Sequence, residues 1–138
     1  MPDKRSVKKK LTPEEERDLD VRIAFMEGVL RREPNYFEAL QALGNDYTER
    51  GLYIAGLKVD EQLAQMRPDD ALIQYNLACS CSLTGNFNRA LAALERALEL
   101  GYRDFKWLAR DPDLSDVRRH PLYKNILARV RTLQEKKS

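Results

Sequence analysis

The sequence predicts an all-α protein, a stack of antiparallel helix pairs about two and a half repeats long and closed by helical caps. Three observations predict it. Residues 37 to 100 read twice through one 34-residue pattern: Pro34 and Pro68, Leu43 and Leu77, Gly51 and Gly85, Tyr53 and Phe87, Gly56 and Ala90, Leu57 and Leu91 stand 34 apart. A period of that length marks repeated helical units that cannot each bury a face alone. Apolar residues recur at helical spacing, as in Leu40, Leu43, Gly44 and Tyr47 and again in Leu77, Ala78 and Cys81. Glycine and proline punctuate the helices where a left-handed residue or a break is needed.

Each unit has a helix carrying the Leu, a Gly that ends it, an aromatic opening a second helix, a small residue where two backbones meet (Gly56, Ala90), and a closing Pro. This pattern resembles the tetratricopeptide repeat of small bacterial proteins. The resemblance implies a right-handed superhelix, a concave groove lined by the first helix of each pair, and a non-enzymatic role in binding protein or peptide.

At 138 residues the chain is read as one domain. Apolar residues make up 43% and charged residues 33%, and the net charge is +2. That balance hides a basic start and a basic end around an acidic repeat body. No apolar run is long enough for a membrane span, and MPDKRSVKKK leads into acidic residues, not an apolar signal region. A cytoplasmic protein with no membrane contact is expected. Cys79 and Cys81 lie two apart on one predicted helix, point to nearly opposite sides and are read as free thiols. One His, no paired Cys motif and no Gly-rich phosphate loop leave no expected cofactor or metal.

Taken in order, residues 1–11 form a basic arm without aromatics or periodicity, expected to be disordered. With no aromatic ring to stack on bases, the arm does not make nucleic acid the expected ligand. The folded domain is placed at 12–138. Thr12 caps a helix begun by Pro13 and Glu14 to Glu16 and closed by Arg31 and Arg32. Residues 12–34 match the second half of a repeat, with Arg22 at the small-residue site, and form an N-terminal capping half-repeat. Repeat 1 spans 35–68, with helices at 37–50 and 53–66; repeat 2 spans 69–102, with helices at 71–84 and 87–100. Residues 103–120 begin a third first-type helix that Asp111 and Pro112 cut short. The stretch DPDLSDVRRHPLY resembles an ending of bacterial repeat proteins, with Ser115 capping a turn and Pro121 opening a C-terminal capping helix at 121–138. That helix is expected to turn Leu122, Ile126, Leu127, Val130 and Leu133 to the stack.

Helix 71–84 is apolar nearly all round, since Leu72, Tyr75, Cys79 and Leu83 fall on the groove side. Such a face is covered by the chain's own ends, by a second copy in a homo-oligomer, or by a peptide in the groove. Asp111, Asp113 and Ser115 copy the start of a calcium loop, but Asp116 replaces its glycine and Leu122 its glutamate, so the metal reading fails. His120 has no nucleophile beside it and is read as a cap or packing residue.

Gln41, Asn45, Asn76, Lys106 and Arg110 stand at the spacings of the two-carboxylate clamp of chaperone-binding tetratricopeptide domains, and only the first departs in residue type, being Gln in place of Lys. The resemblance implies an acidic C-terminal peptide as partner, held by these five together with the apolar groove residues Leu72, Tyr75 and Cys79. Residues four apart share a helix face, and stacking brings the three faces together. The alternative reading is a structural protein that self-associates through helix 71–84, and after it a nucleic-acid-associated adaptor that works through the basic ends.

Overall fold

The computed structural model describes residues 10–136. Nearly all of the expected basic arm lies outside them. Every described element is helical: α1 (Pro13–Arg32), α2 (Phe37–Arg50), α3 (Tyr53–Met66), α4 (Ala71–Leu83), α5 (Phe87–Glu99), α6 (Phe105–Leu108), a 3-10 turn (Pro112–Leu114), α7 (Ser115–Arg118) and α8 (Tyr123–Glu135). The expected stack of antiparallel pairs is the observed architecture.

Local chemistry explains the boundaries. Thr12 and Glu15 close a reciprocal capping box on α1, with bonds of 2.9 and 3.1 Å. Asp70 accepts from the backbone N–H groups of Leu72 and Ile73 and starts α4. Gly51 ends α2 and Gly85 follows α4, at φ of 87° and 77°, a region that glycine enters without a side-chain penalty. At Gly44, an added Cβ would stand 3.2 Å from Val59 Cγ1; at Gly56, 3.2 Å from Thr48 Oγ1. The two small residues thus set the close approach of α2 and α3.

Packing runs from neighbour to neighbour: α1 on α2, α2 on α3, α3 on α4, α4 on α5 and α5 on α8. One core layer joins Ile23, Leu40, Leu43, Val59, Leu63 and Ile73. The next gathers Ala78, Cys81, Leu94, Leu98, Leu114, Val117 and Ile126. The helices α1 and α8 are therefore the two ends of the stack.

Three local expectations need correction. The third first-type helix is a single turn, Phe105–Leu108, because Asp104 caps it through the Trp107 N–H and the chain turns at once into Pro112. Ser115 opens α7, while the cap of the preceding turn is Asp111, which accepts from Asp113 N at 3.0 Å. The last helix begins at Tyr123 and buries Tyr123 and Ile126, with Val130 and Leu133 half-buried on the core. Leu122 and Leu127 stay 46% and 53% exposed: Leu122 precedes the helix as its N-cap, and helical rotation carries Leu127 off the face that the other four share. His120 behaves as a capping and packing residue: its Nδ1 accepts from Leu122 N at 3.1 Å and its ring lies tilted against Phe87. No helix among the described residues is long and apolar enough to cross a membrane.

Candidate functional site

The groove side of α2 and α4 forms a cleft of about 340 Å³. Asn45 of α2 and Asn76 of α4 both line it, with Trp107 on the far side and Tyr75 and Cys79 in its floor. Gln41, Leu72, Lys106 and Arg110 do not line it. Gln41 is half-buried on α2, Leu72 is 57% exposed, and Lys106 and Arg110 are exposed. The structure therefore brings together four of the eight residues expected to make the site, and they are the amides and the floor, not the cations.

The floor is a buried polar lock. Tyr75 is 3% exposed, stacks on Tyr102 with centroids 4.2 Å apart, and donates its hydroxyl to Asp111 Oδ2 at 2.5 Å. Cys79 Sγ donates to the same oxygen at 3.6 Å. Burial pushes both the Tyr75 hydroxyl and the Cys79 thiol far above their ordinary values, so each keeps its proton and donates it. The apolar face of helix α4 is thus covered by the 3-10 turn and Tyr102 of the same chain. Only Leu72 of its predicted interface side remains exposed, which leaves little of that helix for self-association.

Cys79 Sγ and carboxylate oxygens of Asp111 and Asp113 lie within 4.8 Å of one another. The donor set suits a cation poorly, because a thiol must lose its proton to ligate and this one is held protonated by burial and by its bond to Asp111.

A second buried carboxylate borders the cleft. Asp60 on α3 accepts from the Ser80 hydroxyl of α4 and is 8% exposed. Burial raises its pKa from 3.8 to about 6, against the lowering effect of the Ser80 bond. With Glu49 and Asp113 on the walls, the lining is rich in carboxylates. Between α1 and α2, outside this lining, Asp46 is 8% exposed and is held by Arg22 Nη2 at 2.7 Å. Arg22 thus serves a charge pair where other repeats have a small residue.

The sequence reading missed Asp60, Asp111 and Trp107. Asp60 was detectable, since the positions 34 before and after it are Met26 and Leu94, and Leu94 is completely buried. A carboxylate at an apolar repeat position signals a special site. Asp111 carried no such signal, because only folding sets it against Tyr75.

Comparison with known proteins locates the fold. No family model matches the chain. It is 34% identical over 92 residues to a chloroplastic protein of Arabidopsis thaliana, covering 64% of this chain and 26% of that protein. It is 30% identical over 102 residues to the peroxisomal targeting signal receptor of Candida albicans, covering 72% of this chain and 17% of that one. The chain thus spans about a quarter or less of the length of these relatives. A solved structure, the MamA RS-1 ArsTM double mutant, matches with a TM-score of 0.67 at 20% identity, over 88% of this chain and 68% of that chain. The fold is a tetratricopeptide-type helical repeat.

Proposed function

We propose that the chain is a non-enzymatic protein-interaction module that takes an extended peptide in the concave cleft. The observation that carries this reading is the pairing of Asn45 and Asn76, from successive first helices, across a cleft walled by Trp107. Each amide offers both donor and acceptor groups, which suits the main chain of an extended segment. The Trp107 ring offers a flat apolar wall for one of its side chains. A relative named as a targeting-signal receptor fits a binding role.

The charge of the lining bears on the ligand. Glu49, Asp60, Asp111 and Asp113 border the cleft, so a segment carrying a Lys or Arg is favoured over an acidic one. The acidic C-terminal ligand of the clamp resemblance would have to rely on Lys106 and Arg110, which are exposed and stand outside the lining.

Trp107 is the chain's only tryptophan, so its fluorescence reports on the cleft. Peptides selected from an array should change that fluorescence on binding, and Asn45→Ala or Asn76→Ala should each weaken them about five- to tenfold. Binding with no Trp107 response and no effect of either variant would overturn the cleft reading. Selected peptides that end in Asp or Glu, and that lose affinity on C-terminal amidation and on Arg110→Ala while gaining it on Gln41→Lys, would replace the basic ligand by the acidic one.

A further inference from the structure

The carboxylates of the cleft lining are not equally engaged. Glu49 stands 4.0 Å from Arg22 Nη2, and Asp111 accepts from the Tyr75 hydroxyl, the Cys79 thiol and the Asp113 N–H. Asp60 differs from both. It is more than nine-tenths buried, the Ser80 hydroxyl reaches its Oδ2, and no hydrogen bond among the described residues reaches its Oδ1. That oxygen lies on the cleft side. Asp60 and Gly44 both line the cleft, and a Cβ added at Gly44 would stand 3.4 Å from Asp60 Oδ1, so α2 puts no side chain over it.

No cation of the fold answers this buried acid. Burial raises its pKa to about 6, and only the Ser80 bond opposes the shift. The charged and titratable groups around it are engaged elsewhere or are not cations. From α2 come Asp46 and Glu49, both held by Arg22 of α1; from α5 comes Arg89, paired with Glu61 of α3. Helix α4 brings the Cys79 and Cys81 thiols, both kept protonated by burial, and the 3-10 turn brings Asp111 and Asp113. An acid so placed weakens the fold at neutral pH, while the positions 34 to either side are the apolar Met26 and Leu94. A carboxylate that costs stability and opens on a binding cleft is accounted for by what it binds.

We propose that Asp60 is a recognition site for a primary ammonium, and that the segment taken by the cleft presents a lysine whose Nζ seats against Asp60 Oδ1. This rests on the peptide reading of the cleft and adds to it the side chain that is read. Lysine is favoured over arginine because Ser80 occupies Oδ2. One remaining oxygen suits a point charge, whereas the guanidinium fork is best met by two. The other ammonium protons have acceptors in the same lining: the Asn76 amide oxygen, and the Thr48 hydroxyl oxygen, whose own proton goes to Gly44 O. Binding is coupled to a proton. Asp60 receives the ammonium only when ionised, so a lysine that binds below about pH 6 displaces the Asp60 proton to solvent.

The test titrates the full chain with alanine pentapeptides, acetylated and amidated at their ends, that carry lysine, arginine, acetyl-lysine or norleucine at the centre. Trp107 fluorescence reports binding. At about pH 7.5 the lysine peptide should bind about tenfold tighter than the acetyl-lysine and norleucine peptides, and tighter than the arginine one. At about pH 5 its affinity should fall about tenfold, following the ionised fraction of a group with pKa near 6, while the norleucine peptide should not respond to pH. Asp60→Asn should bring the lysine peptide down to the norleucine level at both pH values, with helical circular dichroism retained. A pentaalanine with a free amino terminus that matched the lysine peptide would overturn lysine as the source of the ammonium. A lysine peptide no tighter than the norleucine one, or an advantage that survives Asp60→Asn, would overturn the proposal; the cleft reading would still stand if Asn45→Ala weakened every peptide alike. Absence of any Trp107 response would sink both.

Discussion

Tyr75 and Asp111 are 36 positions apart in sequence and joined by a buried 2.5 Å hydrogen bond. The bond ties the last first-type helix of the repeats to the 3-10 turn that ends them. It turns what the sequence offers as an apolar groove residue into a structural one.

Tyr75→Phe should therefore lower stability by about 1–3 kcal/mol, since it leaves a buried carboxylate oxygen short of its main donor. Tyr75→Ala should cost more, about 3–5 kcal/mol, through the added cavity beside Tyr102. Urea denaturation measures both. A Tyr75→Phe chain as stable as the parent would mean that the Asp111 bond contributes nothing.

Asp60 makes stability depend on pH. The folded chain holds this proton more tightly than the unfolded chain, with a pKa near 6 against 3.8. Its contribution is fully present below pH 3.8 and is lost as pH rises through about 6. Asp60→Asn should stabilise the protein at pH 7.5 by up to about 3 kcal/mol, and the gain should vanish near pH 4. Melting curves across that range, parent against variant, decide it; an equal gap at both ends would assign the effect to something other than titration.

The C-terminal cap gives a contrast between adjacent aliphatic positions. Ile126 is 1% exposed and Leu127 is 53% exposed. Ile126→Ala should cost about 2–4 kcal/mol and Leu127→Ala under about 0.5 kcal/mol. Equal costs would mean that α8 packs with a different face.

The α2–α3 contact should be sensitive to volume. Gly56→Val adds a branched side chain where a single Cβ already stands 3.2 Å from Thr48 Oγ1, whose hydroxyl bonds Gly44 O. A loss of about 1–3 kcal/mol is expected by thermal or chemical denaturation. A neutral result would show that the two helices separate without cost.

The helices, their order and the repeat that stacks them are legible in the amino-acid order alone. A 34-residue period, Gly51 and Gly85 at left-handed turns, and Thr12 and Asp70 at helix starts are local signals, readable because each acts within a few residues of itself. That Asn45 and Asn76 share one surface is legible too, because residues on one helix face at a fixed repeat spacing must line one surface. What covers that surface is settled by tertiary packing. Tyr75 and Cys79 have the apolar character of a binding face, and nothing near them in sequence reveals that Asp111 and Tyr102 close over them. The same holds at the ends: Leu122 and Leu127 look like core until Tyr123 takes the buried side of α8. Burial depends on which distant element arrives, and pattern within a helix fixes only which residues share a side.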